Sequence, residues 1–428
     1  MRSALAAVLL AVLVSGGCAE RDRSNPLDPL NQKTAGGLAG FNALAGNRQV
    51  EIRWTRLTQT GVLGYRVLRW VPGVPPAYLG EMLASNLAGV VDSSVANGST
   101  YIYRLVAQLA SGDSVLSPPD TATPGTRKIS VLAAGIPGIV GLTPDARDIL
   151  FSLEAVDAFE DMELDSVHDA LWLTLPAEGV VRRDHFDGTS AGPPLIVTAP
   201  SDVSVSNLRG VGWIAVPSLG QVEAFGPDLN NTTPRTVNGL GEPHVVEAGT
   251  RNGAVWVGNQ AGTVFRLTVD GSTEVGRWTL GSRVIAIALE DSEAAWVATR
   301  VSETDAFHDK LYRIDPADSS VTLVRSGLLN TADLAFDPLT ERLWVSERGA
   351  PGHGAGRLTQ ISKGGVTFLQ ILSIEPFGIS IESSTGNCWV SDLKSNRVFE
   401  VSTGGTFLRW SPPINVPYGI RAWNESAP

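Results

Sequence analysis

The stretch FGISIESSTGNCWVSDLKSNRVFEVSTGG at residues 377–405 carries its apolar side chains in a pattern that returns five more times upstream. Trp389 marks it. Trp172, Trp213, Trp256, Trp296 and Trp344 precede it at intervals of 40 to 48 residues, each inside a short apolar run such as GAVWVG, EAAWVA or RLWVS. Ten residues before each Trp stands an apolar residue, in order Met162, Val203, Val246, Ala286, Leu334 and Ile379. Two positions further on another follows: Leu164, Val205, Ala248, Ala288, Phe336 and Ile381. Period-two alternation puts successive side chains on opposite faces of a strand, so the pattern predicts β-structure and not helix.

Each unit reads as four strands in a meander: an inner strand such as GISIE, a second bearing the Trp, a third such as RVFEV and an outer one such as TFLRW. The Trp strands are apolar on both faces. A sheet of that kind is stable only when sandwiched between two neighbours, so the units must stack into an array that buries what one alone cannot. Repeats of this length and composition predict an all-β chain whose main body is a β-propeller.

Two incomplete units settle how the ring ends. KISVLAAG at 128–135 and IVGLTPDARDILFSL at 139–153 supply three strands without a first. At the other end PYGIRAW at 417–423 matches PFGISIE at 376–382, the start of a unit, and no further strands follow. Joining the two makes a seventh blade closed by the C-terminal strand and removes exposed sheet edges. Six blades with irregular ends is the alternative. The P-x-G-I motifs at Pro376 and Pro417, and the WVSD and WVSE runs ending at Asp392 and Glu347, resemble the NHL and virginiamycin-lyase-like propellers. That resemblance implies the fold, on which ligand binding, scaffolding, hydrolysis and lyase chemistry are all found.

Upstream, residues 1–17 combine an early Arg2, the apolar run ALAAVLLAVLV and small residues before Cys18, which predicts a signal peptide too short to span a bilayer. The VSGGC ending resembles the lipobox of bacterial lipoproteins, in which the Cys becomes the lipidated first residue. Ala19 resembles lipoproteins sent to the outer membrane, and the expected location is the bacterial cell envelope, on its periplasmic or surface face. Residues 18–37, rich in turn formers and mixed charge, predict a lipidated Cys18 followed by a flexible tether.

Residues 38–125 change character to seven short segments divided by Gly, Asn and Ser: LAGFNAL, QVEIRWT, GYRVLRW, AYLGEML, AGVVDSS, TYIYRLVAQL and DSVLSPP. With Trp54, Tyr65 and the Val91-Asp92 to Ala107 stretch, this looks like a fibronectin type III domain. The resemblance implies a β-sandwich in which Trp54 fills the core and the hydroxyl of Tyr101 or Tyr103 anchors a loop corner. Residues 126–428 form the propeller.

Composition narrows the function. A formal charge of −11 without a Lys/Arg cluster argues against nucleic acid as a partner. The two cysteines, Cys18 and Cys388, offer no disulfide framework, and Cys388 beside Trp389 reads as a buried side chain. The five histidines lack metal-site spacing, and neither a phosphate loop nor a nucleophile elbow is present, so no metal, cofactor or catalytic residue is assigned.

Loop lengths locate a candidate binding surface. From the Trp to the third-strand apolar position the gap is nine residues in the Trp172, Trp213 and Trp256 units, but sixteen after Trp296 and fourteen after Trp344. The insertions, 300–310 and 347–357, belong at the end of the ring where the inner strands start. They carry the candidates Arg300, Asp305, His308, Glu347, Arg348 and His353, with His244, Asn259, Asp333 and Asp392 at the mouth. The expected role is noncatalytic: a membrane-tethered binding or scaffold protein that recognises an envelope protein or a small-molecule or carbohydrate ligand, touching the membrane through its anchor alone. A propeller enzyme of the metal-dependent lactonase-like or lyase kind is the alternative, and a purely structural surface protein the third.

Overall fold

A computed structural model of the protein describes residues 38, 40–57, 60–155, 157–206, 210–226, 234–249, 253–301, 308–349 and 355–424. Cys18, with the leader and tether around it, lies outside the described residues. So do Asp305 and His353. The described chain is all-β, with no α-helix and a single 3-10 turn at Pro217–Leu219. No helix among the described residues is long and apolar enough to cross a membrane. The chain divides into two compact units after Gly125.

The smaller unit holds two antiparallel sheets. One orders Asn42–Gly46, Gln49–Arg53 and Gly89–Asp92; the other orders Ala77–Ala84, Val62–Trp70, Tyr101–Leu109 and Ser114–Leu116, with Asp120–Ala122 also on Tyr101–Leu109. Alternate residues of the strands point inward and form one core around Trp54, whose ring packs 5.3 Å from that of Tyr65. The Tyr101 hydroxyl accepts a hydrogen bond from the Ala96 amide at 3.0 Å and so ties down the loop before its own strand. Tyr103 is buried instead and donates to Asp92 at 3.0 Å.

The larger unit contains seven four-stranded antiparallel sheets among the described residues. Six follow the meander expected of the Trp repeats, in strict chain order from inner to outer strand. The seventh is composite: Arg127–Ala133, Gly138–Leu142 and Ile149–Glu154 are joined by Pro417–Asn424, which pairs with Arg127–Ala133 in the register Ile420↔Val131 and Ala422↔Ile129. Each inner strand touches the next, and Pro417–Asn424 touches both Pro376–Ile381 and Met162–Asp165, so the inner strands complete a circle. This arrangement fits a β-propeller.

Packing between sheets explains the recurrent Trp. All six indoles are fully buried, and burial of a large aromatic is among the strongest apolar contributions a core receives. Close approach needs small partners. A Cβ placed on Gly212 would lie 2.5 Å from the Trp172 ring, so that position in the neighbouring sheet admits no side chain. Charges also link adjacent sheets, as where Arg127 reaches Glu382 of the Trp389 sheet at 2.9 Å. Cys388 is buried, and burial pushes its thiol well above the ordinary range.

Candidate functional site

An inner strand faces the ring axis with an edge, and its unpaired amides need acceptors. Side chains of the preceding sheet supply them. Asp161 accepts from the Val203 amide at 3.2 Å, Asp202 from Val246 at 2.6 Å and Asp333 from Ile379 at 2.9 Å. Ser204 and Ser380 accept in the same way from Ala248 at 2.9 Å and Ala422 at 3.1 Å. Carboxylates are thereby drawn to the axis for a structural reason, and they line a cavity there.

The cavity measures about 180 Å³ and takes lining residues from all seven sheets. Its wall carries Glu160, Asp161, Glu163, Asp202, Glu247 and Asp333, against the single guanidinium of Arg421. Each of these residues is half-buried except Glu160, which is exposed. Burial pushes the Asp333 carboxyl up to about 6, with Arg421 and two backbone amides holding it down. Burial likewise pushes Asp202 well up, reinforced by the charge of Asp161 and a hydrogen bond between the two carboxyl groups. Glu247 is raised by burial and by Glu163. Burial works against the charge of Arg421, but Glu163, at 3.0 Å, together with Asp161 and Asp333 holds it firmly protonated.

A second cavity of about 260 Å³ adjoins the first on the side where the inner strands begin. The two share Glu160, His244, Val245, Ile285, Ala332 and Phe377. The outer one adds Arg283, Arg300 and Arg348, so the sign of the charge reverses along the axis. Burial and the Arg283 charge lower the pKa of His244, which keeps its imidazole neutral at pH 7. Burial and Asp161 raise that of Glu160.

Of the residues singled out from the sequence, Asp333 and His244 line the inner cavity, while His244, Arg300 and Arg348 line the outer one. Arg300 is also bound to Asp309 at 3.1 Å and to the Thr331 carbonyl at 2.6 Å, and Arg348 reaches Glu375 at 3.3 Å. Glu347 stands apart from both cavities. It is fully buried, paired with Arg357 at 2.7 Å and bonded by the Leu329 amide at 2.7 Å. Asn259 holds the Leu240 carbonyl at 2.9 Å and the Thr263 amide at 2.8 Å. Asp392 accepts from the Glu375 amide at 2.6 Å and from Ser395 of its own turn at 3.1 Å. His308 is exposed just before the strand Asp309–Asp315. Among the described residues no three His, Cys, Asp or Glu are grouped so as to hold a metal ion.

Sequence reasoning passed over Glu160, Asp161, Glu163, Asp202, Glu247, Arg283 and Arg421. A signal was present. Most of these stand one residue before or after an inner-strand apolar position, in strands whose neighbours in the ring cover them. A charge in such a place must face a cavity or a partner.

No protein-family model matches the sequence, and no curated protein is significantly similar to it. Solved structures are similar in fold. A functionally unknown protein from Desulfotomaculum acetoxidans aligns over 70% of this chain and 99% of its own, at 13% identity and a TM-score of 0.52. Apo AztD from Citrobacter koseri covers 69% of this chain and 97% of its own, at 12% identity and a TM-score of 0.49. A chain of a nidogen/laminin complex covers 69% and 98%, at 14% identity and a TM-score of 0.44. The fold likeness rests on the first of these.

Proposed function

We propose that the protein is a noncatalytic binding protein of the bacterial cell envelope: a seven-bladed β-propeller with a fibronectin type III domain before it, which takes its ligand at the axial cavity and mouth. The observation that carries this reading is the cavity itself. Seven sheets contribute to it, and it contains ionisable groups such as Glu247 that neither the core nor the strand edges require. Concave, partly apolar sites with a few convergent polar groups are where small ligands bind. The seven-blade reading is supported by the pairing of Pro417–Asn424 with Arg127–Ala133. The fibronectin reading is supported by the two facing sheets around Trp54 and by the Tyr101 hydroxyl bond. The envelope location rests on the leader and on Cys18, whose acylation with more than one chain would give lasting attachment, since each buried methylene contributes about 0.8 kcal/mol.

The test is capture of ligand from a native envelope extract by the full chain, analysed by mass spectrometry for proteins and small molecules. Loss of the captured species in an Asp333→Asn/His244→Ala variant that still melts like the wild type is the expected result. Undiminished capture refutes the cavity as the site. A hydrolase or lyase is the second reading, favoured by one observation: the Asp333 carboxyl near 6 is poised as a general acid or base would be. Turnover of lactone or glycoside panels that vanishes in Asp333→Asn would replace the binding reading with that one.

A further inference from the structure

Resting on the axial cavity as the binding site, we infer that its ligand is a small organic zwitterion with an aliphatic spacer, its ammonium innermost beside Glu247 and Asp333 and its anionic group outermost beside Arg348. Charge polarity along the axis is the first ground. Six carboxyl groups face one guanidinium in the inner cavity, whereas the outer one sets Arg283, Arg300 and Arg348 against Glu160 alone.

A carboxyl group without a partner and a guanidinium with a spare donor mark the ends. Glu247 projects into the inner cavity, and its carboxyl makes no hydrogen bond or ion pair, unlike Asp161, Asp202 and Asp333, which hold neighbouring strands. At the mouth, Arg348 uses Nη2 for Glu375, while its Nε is buried without an acceptor. An arginine fork offers several donors in a plane suited to a carboxylate. Between these ends Val245, Ile285, Ala332 and Phe377 line both cavities beside Glu160 and His244, so one side of the waist is apolar. The same geometry disfavours a bare cation. The inner carboxyl groups are spread around a ring, and no three of the described ones are grouped for an ion, but an ammonium with three divergent N–H donors suits such a spread.

Protonation should follow occupancy. Asp333 faces Arg421 and Asp161; Glu247 faces Glu163, Arg421, Asp333 and Asp161. Both carboxyl groups are raised by burial, so an arriving ammonium favours their ionised forms and expels protons. Affinity therefore falls as the pH drops through about 6.

The experiment is calorimetry on the full chain with a homologous series of ω-amino acids, and with alkylamines and alkanoates of matching length, in buffers of differing ionisation enthalpy. One chain length of ω-amino acid should bind best, with proton release, and should exceed the matching amine and alkanoate by roughly tenfold each. Glu247→Gln should weaken amines and amino acids alike, whereas Arg348→Gln should weaken amino acids and spare amines; the second variant lies at the rim, so one of the two survives a folding defect in the other. Binding of alkanoates as tightly as amino acids, an unaffected Glu247→Gln protein, or no binding by any series overturns the inference. If none binds while envelope capture still depends on Asp333 and His244, the site stands and the ligand class is wrong. If capture fails as well, the cavity reading falls with it.

Discussion

Removing residues 417–428 should open the ring and cost the larger unit most of its stability. Pro417–Asn424 pairs along the whole of Arg127–Ala133. Ile420 is fully buried and Ala422 is 4% exposed, in a cluster with Ile129, Val131 and Trp389. Truncating one buried Ile to Ala costs about 2–5 kcal/mol. Loss of the strand adds Ala422, the newly bared Ile129 and Val131, and a row of backbone hydrogen bonds worth about 1 kcal/mol each. Arg421 also leaves, and Glu163 then stays at the axis without its cation. Set against a total of roughly 5–15 kcal/mol for a folded domain, the deletion leaves little. The graded version is Ile420→Val, about 0.5–1.5 kcal/mol, then Ile420→Ala, then the truncation. Scanning calorimetry reads it: the transition of the larger unit should fall in that order, while that of the unit around Trp54 stays in place. Sedimentation should show the truncated chain self-associating through the bared edge of Arg127–Ala133. A truncated chain that remains monomeric and melts with the intact one would refute the reasoning.

Three further outcomes follow from particular contacts. Gly212→Ala should destabilise the larger unit by about 1–3 kcal/mol, because its Cβ would meet the Trp172 ring at 2.5 Å; an unchanged melting temperature would mean that the sheets slide apart freely. Arg357→Met should cost about 3–5 kcal/mol in urea unfolding by leaving the fully buried Glu347 without its cation, and Glu347→Gln made in the same chain should restore part of it. Asp333 is raised from 3.8 to about 6, so its contribution to stability is full below the lower value and lost as pH rises through the upper. That loss, at most roughly 3 kcal/mol, should appear as a difference in pH dependence between wild type and Asp333→Asn; parallel curves would show that water at the axis relieves the burial.

Strands and their repetition are legible in the order of residues alone. Six Trp residues at near-constant intervals, each with an apolar residue ten positions earlier, leave no arrangement but stacked four-stranded sheets, because only neighbouring sheets can cover both faces of a Trp strand. The match between PYGIRAW and PFGISIE likewise placed the C-terminal segment beside the strand at 129, where Pro417–Asn424 lies. Candidate site residues were legible only in part. His244, Asp333, Arg300 and Arg348 do line the cavities, but Glu347, Asn259 and Asp392 look the same in sequence and instead hold a buried ion pair and two turns. A polar residue at a strand end does not announce whether its partner is a nearby group, as for Glu347, Asn259 and Asp392, or whether it faces a cavity that inner strands from every repeat must close. Only closure of the ring answers it. Asp161, Asp202 and Glu247, from three different repeats, come together only when the inner strands close around an axis, and it is this closure that takes them out of bulk water and raises the latter two above ordinary carboxyl values.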